Sequence, residues 1–384
     1  MEIKNLRKTA LRILKAIKNN EKIILYGDAD VDGVSSVIIL QMVIEKLGGK
    51  VLSVYFPDRG KQGYGINRSA LKYLKKNAPA LFVSLDCGIG NFEEIKEAEE
   101  MGFEVIVIDH HIILEKLPQA SIVVDPKQEG DNYPFKDFAC AGVAYKLAEL
   151  LLTKENKWDH PEKFLELAAL ATLADQMPLN GENKKIVDQG LLALSYTQNT
   201  GLLAFKELTN FQSNDIQDLF QKVIAPLNSA ENKEHSNEIY IFLTETSLLK
   251  AKKMVKSLIK KAEIKKEKVK KICLQVEKRV DSLPEIIVFE GDTSWSLIFL
   301  GAVASRMCRK YHRPVFIFEK QKNKNHGTVR CPSDVDGVKA MTSCKSFLET
   351  YGGHPQAAGF MVKSENIEKF KNCLLKYFED QWKK

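Results

Sequence analysis

Residues 23–33 read Ile23-Ile24-Leu25-Tyr26-Gly27-Asp28-Ala29-Asp30-Val31-Asp32-Gly33, a short apolar run followed by three aspartates at alternate positions. Continuous apolar runs are typical of strands buried in parallel sheets, and ligands of open α/β sheets lie beyond the carboxyl ends of such strands. Three carboxylates so close together repel one another, and a divalent cation would offset that repulsion. The stretch therefore predicts a β-strand that leads into a metal site.

The same acids allow a second interpretation, because aspartate commonly caps the N-terminus of a helix. Gly33 predicts a tight turn, and Val34 to Leu47 predicts a helix that ends at Gly48. An EF-hand calcium loop does not fit, since its twelfth position requires glutamate and is Ile39 when counted from Asp28. From this stretch alone, metal binding and helix capping are both open.

The composition indicates a globular protein without a membrane segment. A chain of 384 residues with 44% hydrophobic content predicts two or three domains with substantial cores. No apolar run reaches the length of a membrane span, and residues 1–8 lack the apolar core of a signal peptide, so we expect a cytoplasmic location. The cysteines show no C-x-x-C spacing, which argues against a zinc knuckle or disulfide framework and predicts reduced, packed thiols.

The formal charge of +7 is concentrated in the lysine-rich segment 250–271. Such a segment could follow a nucleic-acid backbone, since lysines neutralise phosphates without reading sequence. Its apolar residues, among them Leu248, Val255 and Ile259, also fit an amphipathic helix whose solvated face carries the lysines. We favour the amphipathic helix because lysine is abundant throughout the chain.

The pattern of an apolar run that ends in an acid recurs along the first third of the chain. Because strands alternate here with helices, we expect a parallel, doubly wound α/β sheet whose strand ends bring the acids together. Residues 59–65 form a glycine-rich loop that suits either anion contact or plain turns. The predicted later strands are 50–56, 80–85 before Asp86, 104–108 before Asp109-His110-His111, and 121–124 before Asp125.

Beyond residue 139 the pattern becomes helical and then returns to α/β. An apolar helix, Phe164 to Ala174, ends at Asp175, where a helix dipole disfavours negative charge unless a metal or solvent compensates. The polar stretch 228–238 predicts a linker. The predicted second module has strands 285–289, 315–319 and 327–330, helices 298–311 and 343–351, a loop at 352–359 and a C-terminal helix.

The ordered motifs resemble those of the DHH phosphoesterase superfamily, and within it the RecJ branch of exonucleases. The four superfamily motifs correspond to Gly27–Gly33, Asp86, Asp109-His110-His111 and Leu173-Ala174-Asp175. The stretches that resemble RecJ are Gly63-Tyr64-Gly65, Cys140–Ala144, Gly301–Arg306 with Tyr311–Val315, and Gly352–Gly359. The resemblance implies a DHH catalytic domain at 1–195, a helical connector and linker at 196–238, and a smaller α/β DHH-associated domain at 239–384.

The resemblance also implies a site for two divalent ions. Asp28 and Asp30 would hold one ion and Asp86 would bridge, while Asp32, His110 and Asp175 would hold the other. Mixed carboxylate and imidazole ligands suit Mn²⁺, with Mg²⁺ or Co²⁺ as substitutes. In the implied catalytic pair, Asp109 supports the site and His111 faces the scissile phosphate.

Substrate contacts are expected mainly from the C-terminal domain. Gly352 and Gly353 would let backbone N–H groups approach a phosphate or base, with His354 donating to it. Arg306 and Arg330 are candidate phosphate clamps, although a surface role is open for both. The Pro-Arg-x-Asn segment that RecJ proteins usually carry is represented here only by Asn228, without its arginines.

These features imply a metal-dependent exonuclease that degrades single-stranded nucleic acid, by resemblance DNA from the 5′ end, to 5′-mononucleotides. The missing arginines, and a chain that ends soon after the C-terminal domain, lead us to expect weaker binding and lower processivity. A phosphodiesterase for short oligonucleotides, of nanoRNase type, and a non-catalytic replisome component are the alternatives. Single-stranded nucleic acid is the expected partner, with subunits of DNA repair or replication complexes as candidates.

Overall fold

The computed structural model describes residues 2–113, 116–233, 236–280 and 286–382. These residues form two compact units, Met1–Ala262 and Glu263–Lys384. The domain limits predicted at 195 and 238 divide the chain differently and stay a prediction. Among the described helices, none combines the length and apolar character that crossing a bilayer requires.

The first unit is built on a five-stranded parallel sheet with the strand order β2-β1-β3-β4-β5. This order reverses direction between β1 and β3, which is where open α/β sheets form their ligand crevice. The predicted parallel, doubly wound sheet is therefore confirmed. The strands are β1 Ile23–Gly27, β2 Val51–Tyr55, β3 Ala80–Leu85, β4 Phe103–Ile108 and β5 Ile122–Val124.

Helices cover both faces of this sheet, which explains why its strands are apolar without alternation. Leu25 of β1 packs into the core beneath the helices α1, α2, α6 and α7, whereas Ile24 and Tyr26 pack into the opposite core beneath α4 and α5. The helices up to this point are α1 Leu6–Lys18, α2 Val31–Lys46, α3 Arg59–Gln62, α4 Arg68–Leu74, α5 Phe92–Glu100, α6 Cys140–Lys154 and α7 Glu162–Ala174.

The tight turn predicted at Gly33 is wrong, because α2 begins at Val31 and Gly33 lies in its first turn. A Cβ at Gly33 would lie 2.4 Å from the carbonyl oxygen of Asp28, so glycine is needed for the close approach of α2 to that backbone. Asp30 caps α2 by accepting hydrogen bonds from the N–H groups of Asp32 and Gly33, both at 3.0 Å. The helix-capping interpretation is thus confirmed for Asp30.

The helix α7 contains an acid that the core almost fully encloses. Glu166 is 4% exposed, and burial raises its pKa to about 7, although the Thr197 hydroxyl partly opposes the shift. The folded protein therefore binds the Glu166 proton more tightly than the unfolded chain does. As a result, the free energy of unfolding falls as the pH rises from about 4.5 to 7.

We expect Glu166→Gln to leave the unfolding midpoint unchanged near pH 4.5 and to raise it above pH 7. The free energy of unfolding should rise by at most about 3 kcal/mol, because one pKa unit corresponds to about 1.4 kcal/mol. Thermal unfolding of both proteins across this pH range tests the prediction, and a pH-independent difference would contradict it.

The segment 228–238, predicted as a linker, lies partly outside the described residues, which leave out 234 and 235. In its described part, the Asn232 side-chain amide donates to the carbonyl oxygen of Pro57 at 2.6 Å, and that of Asn237 to the carbonyl oxygen of Ala29 at 2.8 Å. Asn232 therefore packs against the loop that follows β2, and Asn237 packs against the acidic loop, so the linker prediction is wrong for these two residues.

After α7, the first unit is completed by further helices and two short strands. A long helix then runs past residue 262. The predicted amphipathic helix in the lysine-rich segment is confirmed, because one apolar stripe, which includes Val255, Leu258 and Val276, is buried in the hydrophobic cores, although Leu249 and Ile264 are exposed. These elements are α8 Gly181–Ser195, α9 Thr200–Thr209, α10 Ile216–Leu219, a π-helix Phe220–Ile224, α11 Ala225–Leu227, the short strands β6 Asn232–Lys233 and β7 Ser236–Asn237, α12 Glu238–Thr244 and α13 Leu248–Val280.

The second unit contains a mixed five-stranded sheet with the order β11-β12-β10-β9-β8. The pair β8 and β9 is parallel, and the remaining pairs are antiparallel. The smaller C-terminal α/β domain is therefore confirmed, although Glu285 of its predicted first strand lies outside the described residues. Its elements are β8 Val288–Asp292, α14 Leu297–Tyr311, β9 Val315–Glu319, β10 Lys324–Arg330, α15 Gly337–Ser343, β11 Leu348–His354, β12 Ala357–Lys363 and α16 Ile367–Trp382.

Three predictions for this unit are wrong. In place of the helix at 343–351, α15 ends at Ser343, a 3₁₀-helix spans Lys345–Phe347 and β11 begins at Leu348. The loop at 352–359 is replaced by the hairpin of β11 and β12, because β-pairing dominates over the weak strand propensity of Gly352 and Gly353. Cys344 and Cys373 form a disulfide rather than two reduced thiols, with Cα atoms 5.9 Å apart. Their 29-residue separation offers no local motif. The other five cysteines are unpaired and buried.

Candidate metal centre

The acids that follow β1 and β3 lie side by side at the carboxyl edge of the first sheet. Asp28 and Asp86 are 1% and 2% exposed, and the Asp28 N–H donates to the carbonyl oxygen of Leu85 at 3.2 Å, which joins the two strand ends. Asp86 adopts the left-handed conformation with φ of 63°, a region that aspartate and asparagine enter more readily than most residues. The sheet therefore delivers both carboxylates to one crevice.

Asp32 is oriented by a helix from a distant part of the chain. Its two carboxylate oxygens accept hydrogen bonds from the N–H groups of Cys140 at 2.7 Å and Ala141 at 2.8 Å. These N–H groups open the helix α6, whose N-terminal partial positive charge favours an anion at this point. The carboxylate is thereby held in place while it is buried.

His110 lies against three carboxylates. Its Nδ1 is 2.7 Å from the Phe138 carbonyl oxygen, which can only accept, so Nδ1 carries the proton and the lone pair of a neutral ring is on Nε2. That Nε2 is 3.2 Å from Asp86 Oδ1, 3.6 Å from Asp32 Oδ2 and 3.7 Å from Asp175 Oδ2. Four electron-rich atoms thus face one another.

This arrangement fits a bound cation. Asp86 Oδ1 and Asp175 Oδ2 are buried and accept no hydrogen bond from the described residues. Burial, followed by repulsion from neighbouring carboxylates, raises the pKa of Asp32 and Asp86 well above their usual values and that of Asp175 to about 7. A divalent ion would remove both penalties, because it supplies positive charge and accepts lone pairs.

The ligand atoms form two groups that meet at the Asp86–His110 contact. Ligand atoms lie within 4.8 Å of one another in each group. The first group contains Asp28, Asp30 and Asp86, and the second contains Asp32, His110 and Asp175. The structure thus brings together all six residues for which the sequence predicts metal ligation.

The predicted catalytic pair lies beside this cluster. Asp109 Oδ1 accepts from His111 Nδ1 at 2.8 Å, and Asp109 Oδ2 accepts from the Ile89 N–H at 3.0 Å. Burial opposes both charges, but the ion pair outweighs it, so the pKa of His111 lies above its usual value and that of Asp109 below. The ion pair thus favours the protonated form of His111 and the ionised form of Asp109.

Sequence reasoning did not assign three cationic or aromatic residues to the site. Arg59 pairs with Asp28 and Asp30, and the Tyr64 hydroxyl donates to the Asp86 carbonyl oxygen at 2.9 Å while lying 3.1 Å from His111 Nδ1. Lys127 donates to the His110 carbonyl oxygen. Arg59 and Tyr64 belong to the glycine-rich loop at 59–65. The suitability of that loop for anion contact was the signal in the sequence that could have assigned them to the site.

The predicted substrate contacts are mostly in the second unit. Arg330 donates from Nε to Ser305 Oγ at 3.1 Å and from Nη1 to the Val329 carbonyl oxygen at 2.8 Å, whereas the exposed Arg306 contacts Cys273. Gly352, Gly353 and His354 lie in β11, where Gly353 has φ of 127°. Asn228 is exposed at the end of α11 in the first unit. Their roles stay predictions.

Comparison with known proteins agrees with this arrangement. The chain matches the model of the DHH family, N-terminal domain, at residues 22–172 and that of the DHHA1 domain at residues 284–380. It is 32% identical over 385 residues to the single-stranded-DNA-specific exonuclease RecJ of Bacillus subtilis, covering 97% of this chain and 48% of that protein. The chain thus spans about half the length of this curated relative.

Two solved structures share both units. The crystal structure of exonuclease RecJ bound to manganese has a TM-score of 0.80 and 28% identity, covering 98% of this chain and 95% of that one. RecJ of Thermus thermophilus in complex with Mn²⁺ has a TM-score of 0.84 and 27% identity, covering 98% of this chain and 55% of that one. The chain thus carries a DHH N-terminal domain followed by a DHHA1 domain, and across both domains it resembles the RecJ exonucleases.

Proposed function

We propose that this chain is a metal-dependent exonuclease that hydrolyses single-stranded DNA from the 5′ end to 5′-mononucleotides. The observation that carries the proposal is the convergence of six acid and imidazole side chains into two adjoining groups of metal-ligand type. Similarity to single-stranded-DNA-specific exonucleases supports the substrate class, and the polarity rests on resemblance to the RecJ branch.

Two divalent ions, Mn²⁺ by preference, are the proposed cofactors. Asp28 and Asp30 would hold one ion, Asp32, His110 and Asp175 would hold the other, and Asp86 would serve both. When bound, such a pair supplies a deprotonated water for in-line attack at phosphorus and neutralises charge on the attacking and leaving oxygens. The carboxylate and imidazole donors suit Mn²⁺, with Mg²⁺ or Co²⁺ as substitutes.

The residues of the chain supply orientation and a second source of positive charge. Phe138 fixes the His110 tautomer so that Nε2 faces the carboxylates, and the α6 N–H groups fix Asp32. In the proposed mechanism, protonated His111 donates to a non-bridging oxygen of the scissile phosphate, where negative charge must be stabilised. Asp109 and Tyr64 hold the His111 ring in position for that contact.

The second unit and Asn228 would contact the strand. The positive φ of Gly353 suits close approach of the backbone to a phosphate, and Arg306 and Arg330 offer guanidinium groups for phosphates. His354 would donate to the same ligand. Each of these roles is proposed from the resemblance, together with the residue types present.

Digestion of a long single strand labelled separately at each end, beside a dinucleotide and in the presence of Mn²⁺, tests the function. We expect the 5′ label to appear at once as a mononucleotide and the 3′ label to remain on long fragments. Preference for the dinucleotide would instead support a short-oligonucleotide phosphodiesterase. Absence of metal-dependent hydrolysis on every substrate would support the non-catalytic alternative.

A further inference from the structure

Arg59, at the start of α3, lies directly on the first group of predicted metal ligands. Its Nε donates to Asp28 Oδ1 at 2.8 Å, its Nη2 donates to Asp30 Oδ2 at 2.8 Å, and the same nitrogen pairs with Asp28 Oδ2. One guanidinium therefore neutralises two carboxylates in a forked arrangement, the geometry in which arginine pairs most strongly with acids.

Every oxygen of these two carboxylates faces a positive or N–H group. Asp28 Oδ1 also accepts from the Ala29 N–H, and Asp30 Oδ1 accepts from the N–H groups that it caps on α2. Asp28 Oδ2, Asp86 Oδ1 and Asp175 Oδ2 are all buried without a hydrogen-bond donor among the described residues, but only Asp28 Oδ2 is ion-paired with Arg59. A divalent ion bound at the first group would meet the Arg59 guanidinium at the same oxygens, where two cations repel each other, so the ion and Arg59 compete for these carboxylates.

Besides the two carboxylates, Arg59 also lies next to Tyr64. Its guanidinium carbon is 5.8 Å from the centre of the Tyr64 ring, and the Tyr64 hydroxyl contacts His111, the residue proposed to face the scissile phosphate. The Arg59 side chain is 44% exposed, so it can move without a large change in solvation. Gly63, with φ of 79° and no atom near its missing Cβ, leaves space in the loop.

We propose that Arg59 is a displaceable counter-ion: a divalent cation bound by Asp28 and Asp30 releases its guanidinium, which then pairs with the phosphate of the substrate. The second half of this exchange rests on the proposed function. Metal loading and substrate binding are thereby coupled, because the same positive charge serves the acids before loading and the phosphate after it. No covalent bond changes in the exchange.

Calorimetric titration with Mn²⁺, without DNA, tests the first half. We expect Arg59→Gln to bind one Mn²⁺ about fivefold more tightly than the wild type, since a partly exposed ion pair no longer competes with the metal. Arg68→Gln is the matched control, because Arg68 lies nearby on α4, is 63% exposed and pairs with Glu97 at 3.0 Å. Its Mn²⁺ affinity should equal that of the wild type.

The KM for single-stranded DNA at saturating Mn²⁺ tests the second half. We expect R59Q to raise KM about tenfold, through the loss of one charge-assisted contact, although it binds metal more tightly. A residue that only supported the fold would not shift the two affinities in opposite directions. Should R59Q not fold, R59K carries the test, since lysine keeps the charge but loses the fork and should bind Mn²⁺ about twofold more tightly.

Mn²⁺ binding that is unchanged or weakened in the Arg59 variant would overturn the exchange. Tighter Mn²⁺ binding with an unchanged KM would overturn its second half. Failure of the wild type to hydrolyse DNA would overturn the proposed function instead, while tighter Mn²⁺ binding by R59Q would still support displacement of Arg59 by the metal.

Discussion

Asp86→Asn is expected to lower hydrolysis by about three orders of magnitude and, without divalent ions, to raise the unfolding temperature. The loss of activity follows because Asp86 belongs to the first ligand group and contacts His110 of the second at 3.2 Å, and metal-ion catalysis provides several kcal/mol of charge stabilisation. The gain in stability follows because burial, and then repulsion from Asp32 and Asp30, disfavours the Asp86 carboxylate. Single-turnover hydrolysis and thermal unfolding measure the two effects.

Asparagine is the appropriate replacement because Asp86 has φ of 63°. Asparagine tolerates this left-handed conformation, whereas alanine adopts it only with strain. Asp188→Asn is the matched control, since Asp188 is 58% exposed and pairs with Lys184 on the surface of α8. The control should retain wild-type hydrolysis and stability. Near-normal hydrolysis by the Asp86 variant would contradict the assignment of Asp86 to the metal centre.

Mn²⁺ is expected to raise the unfolding midpoint of the wild type by about 5–10 °C when present at about a hundredfold excess over Kd. A ligand that binds only the folded state stabilises it by about 2.7 kcal/mol at that concentration, and about 1 kcal/mol moves the midpoint of a unit of this size by 2–4 °C. Chelation of the metal should reverse the shift and abolish hydrolysis. Scanning fluorimetry with and without chelator measures the effect.

The Asp86 variant also serves as the control for metal stabilisation. Its midpoint should rise by less than half as much on addition of Mn²⁺, because the acid at which the two ligand groups meet is missing. An equal shift in both proteins would show that the ions bind elsewhere on the surface. No shift in the wild type would contradict a resident metal centre.

The parts of the fold and site that could be predicted depend on short-range patterns. The strand expected at 80–85 has those bounds, and the helix expected at 298–311 differs by one residue, because continuous apolar runs and 3.6-residue periodicity report burial directly. The acids Asp28, Asp86 and Asp109 follow buried strands of one parallel sheet. Their convergence was therefore predictable from the sequence.

The parts that could not be predicted depend on contacts between distant residues. The hairpin of β11 and β12 is stabilised by pairing that overrides the local preference of Gly352 and Gly353. The contact of Asn237 with the Ala29 carbonyl joins residues 208 positions apart. Arg59 acquires its acid partners only when the loop after β2 folds over β1. No local spacing reports such contacts.

The anchoring of Asp32 has a consequence for the newly synthesised chain. The N–H groups that hold this carboxylate belong to residues 108 and 109 positions further along, at the start of α6. A ribosome must therefore extend the polypeptide well beyond residue 141 before the acid can be fixed. Any nascent chain shorter than that carries the acidic loop without its anchor, so assembly of the centre is delayed until most of the first unit has been translated.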